Sequence, residues 1–276
     1  MRTQAPATEF DARAIGTFVE WPSAETLGTW RAVAPLGRGG TAEVWHALGT
    51  DGREAALKIT RADWRSRGVA DEWLRREHEV LRAVASPHLV EPYELIDDER
   101  GAVLVLEYLP HGDLVPLVGG DPKHWLPALR RVLAALTDLH RVGFGHGDVK
   151  AANVLFARDG SARLADLTSA RPIDAPAEPT TAAHNVAPAA RGRVRDADCF
   201  ALAVLLYQLL TGRLPYGRGG PRSLAGPGSL AELPAVSLAD PLAAALLAPT
   251  EAALRAAGRV QGLSYFVDVI ESVRPT

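Results

Sequence analysis

The stretch LHRVGFGHGDVKAANVLFARDGSARLAD, residues 139–166, decides how the rest of the chain is read. Within it His146, Gly147 and Asp148 are followed at short spacing by Lys150 and Asn153, and a second acid, Asp166, closes the alternating apolar run 162–164. The pattern predicts a turn followed by two short strands. Ionisable side chains held at fixed offsets between apolar strands point to a site, because an unpaired buried carboxylate costs several kcal/mol unless a partner or a cation offsets it. A loop cap or a solvated charge explains Asp148 or Asp166 taken alone. It does not explain the set.

Before this stretch, Leu129, Val132, Leu133, Leu136 and Leu139 recur at helical spacing, which predicts a helix over residues 127–142 leading directly into it. Further upstream, WRAVAPLG from Trp30, AEVWHAL from Ala42 and EAALKIT from Glu54 are strand-like runs joined by turn residues, with Asp51-Gly52 between the last two. Trp73, Leu74, Glu77, Val80, Leu81 and Val84 predict an amphipathic helix over residues 71–84, with Pro87 helping to stop it. Two more strands, near residues 90–96 and 102–108, flank an acidic turn, and Pro110-His111-Gly112 then breaks the pattern. The expectation is a five-stranded antiparallel sheet with one helix.

Downstream, residues 171–188 are rich in Pro, Ala and Thr without a period, whereas 198–210 is apolar nearly all round, as in a buried central helix. Residues 217–228 read as a glycine-rich loop, and 238–247 and 254–273 as closing helices. Residues 1–28 have no sustained period and read as an extended arm with a short strand near 17–21. The chain therefore divides into an arm, 1–28, a sheet-rich lobe, 29–109, and a helical lobe, 110–276, in the α+β class.

Composition narrows the function classes. A chain of 276 residues, 47% hydrophobic, can bury one large core or two moderate lobes without disulfides. Cys199 is the single cysteine and no charged leader with an apolar segment opens the chain, which fits a reducing cytoplasm. The longest apolar run, 199–207, is shorter than the roughly 20 residues of a membrane span. A net charge of −3 gives no global basic field for nucleic acid, and the arginines at 61, 65, 67 and at 191, 193, 195 form only short local clusters. The eight histidines include no pair at metal-ligand spacing.

Between the first two strand-like runs lies Leu36-Gly37-Arg38-Gly39-Gly40-Thr41-Ala42-Glu43-Val44, whose glycines allow backbone amides to approach phosphate oxygens. A hairpin without a ligand explains this run equally well. Lys58 shifts the balance, because it interrupts the apolar run Ala55-Ala56-Leu57 and Ile59 follows it. A lysine facing a strand-lined cleft needs an anion, either a phosphate or a carboxylate such as Glu77.

Together these pieces resemble the eukaryotic-type protein kinase family, as found in its bacterial Ser/Thr members, over about residues 30–216. Gly37 and Gly39, with Gly40, match the nucleotide loop, Ala55 to Lys58 the strand with the phosphate lysine, and Glu77 its helix partner. His146 to Asn153 match the catalytic loop and Asp166 the metal-binding acid. The same resemblance puts Val44, Ala56 and Leu155 among the nucleotide-binding residues, Leu106 at the back of the adenine pocket, Glu107 and Leu109 at the hinge and Asp113 on the ribose. Asp198 resembles the acid at the start of the central helix. The resemblance implies ATP- and Mg²⁺-dependent phosphoryl transfer to Ser/Thr hydroxyls of a protein. Lys58 would orient the α and β phosphates, Asn153 and Asp166 hold Mg²⁺, Asp148 accept the proton of the attacking hydroxyl and Lys150 neutralise the γ-phosphate.

Four departures from the family pattern are visible. Ala42 replaces the third loop glycine, and Gly147 replaces the arginine before the catalytic aspartate, which removes the usual partner of a phosphate on the activation segment. Leu167-Thr168 replaces Phe-Gly after the metal acid, taking away backbone freedom. Ala187-Pro188-Ala189 lacks the closing carboxylate. Besides an active protein kinase, the sequence leaves open a pseudokinase that binds nucleotide as a scaffold, and a kinase of small-molecule hydroxyls.

Overall fold

The computed structural model describes residues 26–61, 70–98, 101–177, 192–215, 238–256 and 262–272. Six strands form one antiparallel sheet: β1 (Thr26–Leu27), β2 (Trp30–Arg38), β3 (Ala42–Gly49), β4 (Glu54–Thr60), β5 (Pro92–Asp98) and β6 (Gly101–Glu107), in the order β1-β2-β3-β4-β6-β5. The expected count of five misses β1, which is two residues long and so carries no readable alternation; it lies within the span read as an arm. Its turn depends on Gly28, at φ 56°, a left-handed conformation that glycine adopts without penalty. The strand expected near residues 17–21 and the loop expected at 217–228 lie outside the described residues.

Both faces of the sheet are buried, for different reasons. Trp30, Ala32, Ala47, Ala55, Leu57, Ile59, Val103 and Val105 gather on one face, together with Trp45, Tyr93 and Ile96. The sheet curls over this cluster until β2 and β5 meet across it: Trp30 of β2 stacks on Tyr93 of β5, 6.2 Å between centroids, and its indole N–H donates to Glu94. Ala56, Leu104 and Leu106, on the opposite face, join Leu74, Val80, Leu81 and Val84 of helix α1 (Ala70–Val84) in the main core. The alternation of EAALKIT thus has an apolar destination on each side, with Lys58 at an inward position.

The helical lobe is built on α2 (Pro122–Arg141), α3 (Val194–Thr211), α4 (Pro241–Arg255) and α5 (Leu263–Glu271). Helix α2 begins five residues before the expected 127, since Asp121 accepts the Lys123 N–H at 2.9 Å and Pro122 takes the first position. Pro127 lies inside it. Helix α3 is buried on nearly every side, starts four residues before the expected 198 and stops at Gly212, φ 71°. The expected break between 247 and 254 is helical instead: Pro249 lies within α4, and the Thr250 hydroxyl bonds the Leu246 carbonyl at 2.6 Å. Among the described residues no helix is long and apolar enough to cross a membrane.

Short elements between α2 and α3 carry the site. Strand β7 (Phe144–Gly145) pairs with β10 (Arg171–Pro172), and β8 (Val154–Phe156) with β9 (Ala162–Leu164). The segment after α1 is fastened to β9, with Val90 N–H to Leu164 O at 3.1 Å and Leu164 N–H to His88 O at 2.9 Å. Ser86 donates to Asp138 of α2 at 2.7 Å. The base of α1 is therefore fixed to the helical lobe, and Glu77 inherits that position.

Candidate active site

Lys58 is held by its strand and by three acceptors. Val44 of β3 and Leu104 of β6 stand opposite it in the ladder. Its ammonium donates to Glu77 Oε2 at 2.7 Å, Asp166 Oδ1 at 2.7 Å and Thr168 Oγ1 at 2.8 Å. Three protons meet three acceptors. Burial works against the ammonium, but the Asp166 and Glu77 charges outweigh it and raise its pKa. For Asp166 burial pushes the carboxyl up, while the Lys58 charge, the Lys58 hydrogen bond and the Thr168 hydroxyl bring it well below the ordinary carboxylate range. Glu77 is fully buried, and its Oε1 accepts the Leu167 N–H at 3.0 Å. Asp166 itself sits in the left-handed region at φ 66°, a conformation aspartate tolerates better than most residues.

The second group is the loop after β7. Asp198 reaches up from α3, and this fully buried carboxylate accepts His146 N–H at 2.8 Å through Oδ2 and Gly147 N–H at 2.8 Å through Oδ1. His140 Nε2 lies 2.9 Å from the same Oδ2. The His146 ring receives the Asp148 N–H on Nδ1 at 3.2 Å, so its proton is on Nε2 and goes to the Ala165 carbonyl at 3.1 Å. Asp148, 4% exposed, accepts from Lys150 at 2.6 Å and from Asn153 Nδ2 at 3.3 Å, and the same Nδ2 donates to the Asp148 carbonyl at 2.8 Å. With its nitrogen turned inward, the Asn153 amide presents its oxygen the other way. Ala165 N–H to Asn153 O, 2.8 Å, ties the neighbour of Asp166 to this loop.

Gly147 is a backbone requirement. Its φ is 78°, and a Cβ there would lie 2.7 Å from the Ser169 carbonyl oxygen. Any side chain at 147, arginine included, would displace the segment after Asp166.

The glycine run forms the β2–β3 turn, closed by Gly39 N–H to Ala42 O at 2.8 Å, with Arg61 donating to Gly39 O at 3.1 Å. Ala56, Leu106 and Leu109 are buried in the main core, and Val44 from the sheet and Leu155 from β8 pack against it from the two lobes. Asp113 bridges to Leu155, and its Oδ1 accepts the Val115 N–H at 3.0 Å. Glu107 pairs with Arg163 at 3.7 Å, and burial raises its pKa.

Asn153 and Asp166 offer an amide and a carboxylate oxygen, hard donors of the kind Mg²⁺ takes. The contacts on Asp166 fall on Oδ1, from Lys58 and Thr168, and its side chain is 40% exposed. The donor set fits a Mg²⁺ ion.

The family model described as protein kinase domain matches residues 30–225. The chain belongs to the protein kinase family. A relative in Streptomyces coelicolor, named a probable serine/threonine-protein kinase, is 33% identical over 225 residues, covering 75% of this chain and 33% of its own. PknB of Bifidobacterium longum, similarly named, is 31% identical, covering 71% and 32%, and the serine/threonine-protein kinase PknL of Mycobacterium tuberculosis is 35% identical, covering 66% and 49%. The chain thus spans about a third to a half of the length of these relatives.

In this kinase chain the site residues expected from sequence fall into two contacting groups: Lys58, Glu77 and Asp166, and Asp148, Lys150 and Asn153. One further residue has no signal in the sequence: His140 carries no pattern beyond its place at the end of an amphipathic helix. Thr168 is marked in the sequence by its backbone and as a hydroxyl of the activation segment, and the structure adds its contacts with Lys58 and Asp166.

Proposed function

We propose that this kinase transfers the γ-phosphoryl group of ATP, with Mg²⁺, to Ser/Thr hydroxyls of a protein. The observation that carries the reading is the Lys58–Glu77–Asp166 cluster, joined through Ala165 and Asn153 to the Asp148–Lys150 pair. Lys58 orients the α and β phosphates with Glu77 behind it. Asp148 accepts the proton of the attacking hydroxyl as the new P–O bond forms and the bond to the β–γ bridging oxygen breaks, while Lys150 offsets charge on the transferred group. Mg²⁺, bound by Asn153 and Asp166, would neutralise phosphate charge. Val44, Ala56, Leu106, Leu109 and Leu155 enclose the base, with Gly37, Gly39 and Gly40 over the phosphates and Glu107 and Asp113 at the rim. Incubation with γ-labelled ATP, Mg²⁺ and a generic protein acceptor tests this. Labelled protein is expected; nucleotide binding without transfer would favour the scaffold reading, and label found only on small hydroxyl compounds the third.

We further propose that activity does not require a phosphate on the activation segment. Gly147 leaves no arginine beside Asp148, and of the arginines flanking the segment Arg193 and Arg195 both pair with Asp174. Arg171 lines a cavity of about 750 Å³ with Arg76 and Glu79 of α1, Phe144 and Pro176. Arg191 and residues 187–189 lie outside the described residues. The hydroxyls in or beside the segment are Thr168, Ser169, Thr180 and Thr181. Thr168 is set apart by its bonds to Lys58 and Asp166, and alanine at the other three, or phosphatase treatment, is expected to change the rate by less than about twofold. A loss of most activity in both would show that some other basic residue has replaced the missing arginine and that this kinase is switched after all.

A further inference from the structure

Thr168 stands where the family has glycine, and its hydroxyl lies among all three charges of the lysine cluster. The oxygen is 2.8 Å from Lys58 Nζ, 2.7 Å from Asp166 Oδ1 and 3.2 Å from Glu77 Oε2. A hydroxyl has one proton to give. Lys58 can only donate, so the Thr168 proton goes to a carboxylate, and the shorter contact assigns it to Asp166. We propose that Thr168 is a positioning residue for the metal-binding carboxylate, fixing Asp166 by Oδ1 so that Oδ2 is presented to the cation.

Two observations support the assignment. Thr168 lies in the single helical turn Leu167–Ser169, whose first amide is bonded to Glu77, so backbone and side chain tie this turn to α1 together. A β-branched side chain also has few χ1 choices, which presets the direction of the hydroxyl. With lysine as its only donor the carboxylate could turn about its Cβ–Cγ bond; a second donor on the same oxygen, two residues away, removes that freedom.

The proposal rests on the reading of Asp166 as a metal ligand, and the experiment separates the two. ADP affinity is measured by titration calorimetry in saturating Mg²⁺ and again in EDTA, and the ratio gives the metal-linked gain. Thr168→Val and Thr168→Ala are each expected to lower that ratio about tenfold, with Thr168→Ser within about threefold of the native value and little change in EDTA. Thermal midpoints of the ligand-free proteins should follow the same order, since the hydroxyl bonds exist without metal. Two hydroxyl-free variants of different shape keep the test open if one does not fold. Asp166→Asn, run alongside, should collapse the ratio. If it does and the valine and alanine variants keep the native ratio, the role of Thr168 is overturned and the reading of Asp166 stands. If Asp166→Asn also keeps the ratio, both fail. A serine variant as defective as alanine would make the effect one of packing and overturn the assignment to the hydroxyl.

Discussion

Asp148→Ala is expected to lower phosphoryl transfer by at least about a hundredfold while ADP affinity stays within about twofold. The argument is one of location. Asp148 contacts Lys150 and Asn153 within its own loop, whereas Lys58 donates to Glu77 and Asp166. On the proposed roles, removing its carboxylate takes away the acceptor for the hydroxyl proton and leaves the residues proposed to hold the nucleotide in place. Asp166→Asn should differ, because the loss then falls on the metal and on Lys58 together, and transfer and Mg²⁺-dependent nucleotide affinity should drop in parallel. Single-turnover transfer and ADP titration on both variants check the contrast. Native-rate transfer by Asp148→Ala would end the active-kinase reading and favour the scaffold.

Asp198→Ala should be the most destabilising single change in the helical lobe, by about 3–5 kcal/mol. The carboxylate is fully buried and accepts two backbone N–H groups, from His146 and Gly147, with His140 as a third partner. Alanine would leave those donors buried without acceptors and release the loop that carries Asp148. Asn at 198 should recover only part of the loss, since its amide nitrogen would face one of the donors. Urea unfolding gives the stability, and amide exchange at His146 and Gly147 gives the local consequence. Unchanged protection at those two amides in Asp198→Ala would mean that the loop is held by other bonds.

What the sequence made legible follows from the range of the forces involved. The sequence singles out Lys58, Glu77, Asp148, Lys150, Asn153 and Asp166 by type and spacing, and the structure brings them into two contacting groups. The strands EAALKIT and AEVWHAL are legible because burial on two faces writes itself into apolar residues. Strand β1 is not, since two residues carry no period. The start of α2 was misread at Pro127, as proline marks a first turn more often than an interior; the decisive residues were Asp121 and Pro122 just before it. His140 has no signal in the sequence because its role is tertiary, set by Asp198 58 positions away. For Thr168 the same holds only of its contact with Lys58, 110 positions away, since its other partner, Asp166, is two residues off.

The curl that brings Trp30 against Tyr93 also bears on how this domain behaves in crowded solution. A sheet with open edges offers its unpaired amides and carbonyls to any passing chain, and long flat edges seed aggregation. Here both edges are spoiled. Strand β2 carries Pro35 and two register shifts against β3, and β1 covers only its first two residues. Strand β5 opens with Pro92, shifts register before Glu94 and carries acidic residues toward its end. Among the described residues each edge is thus interrupted by a proline and by a shift in register, which shortens the run a further strand could pair with on the sheet that holds Lys58.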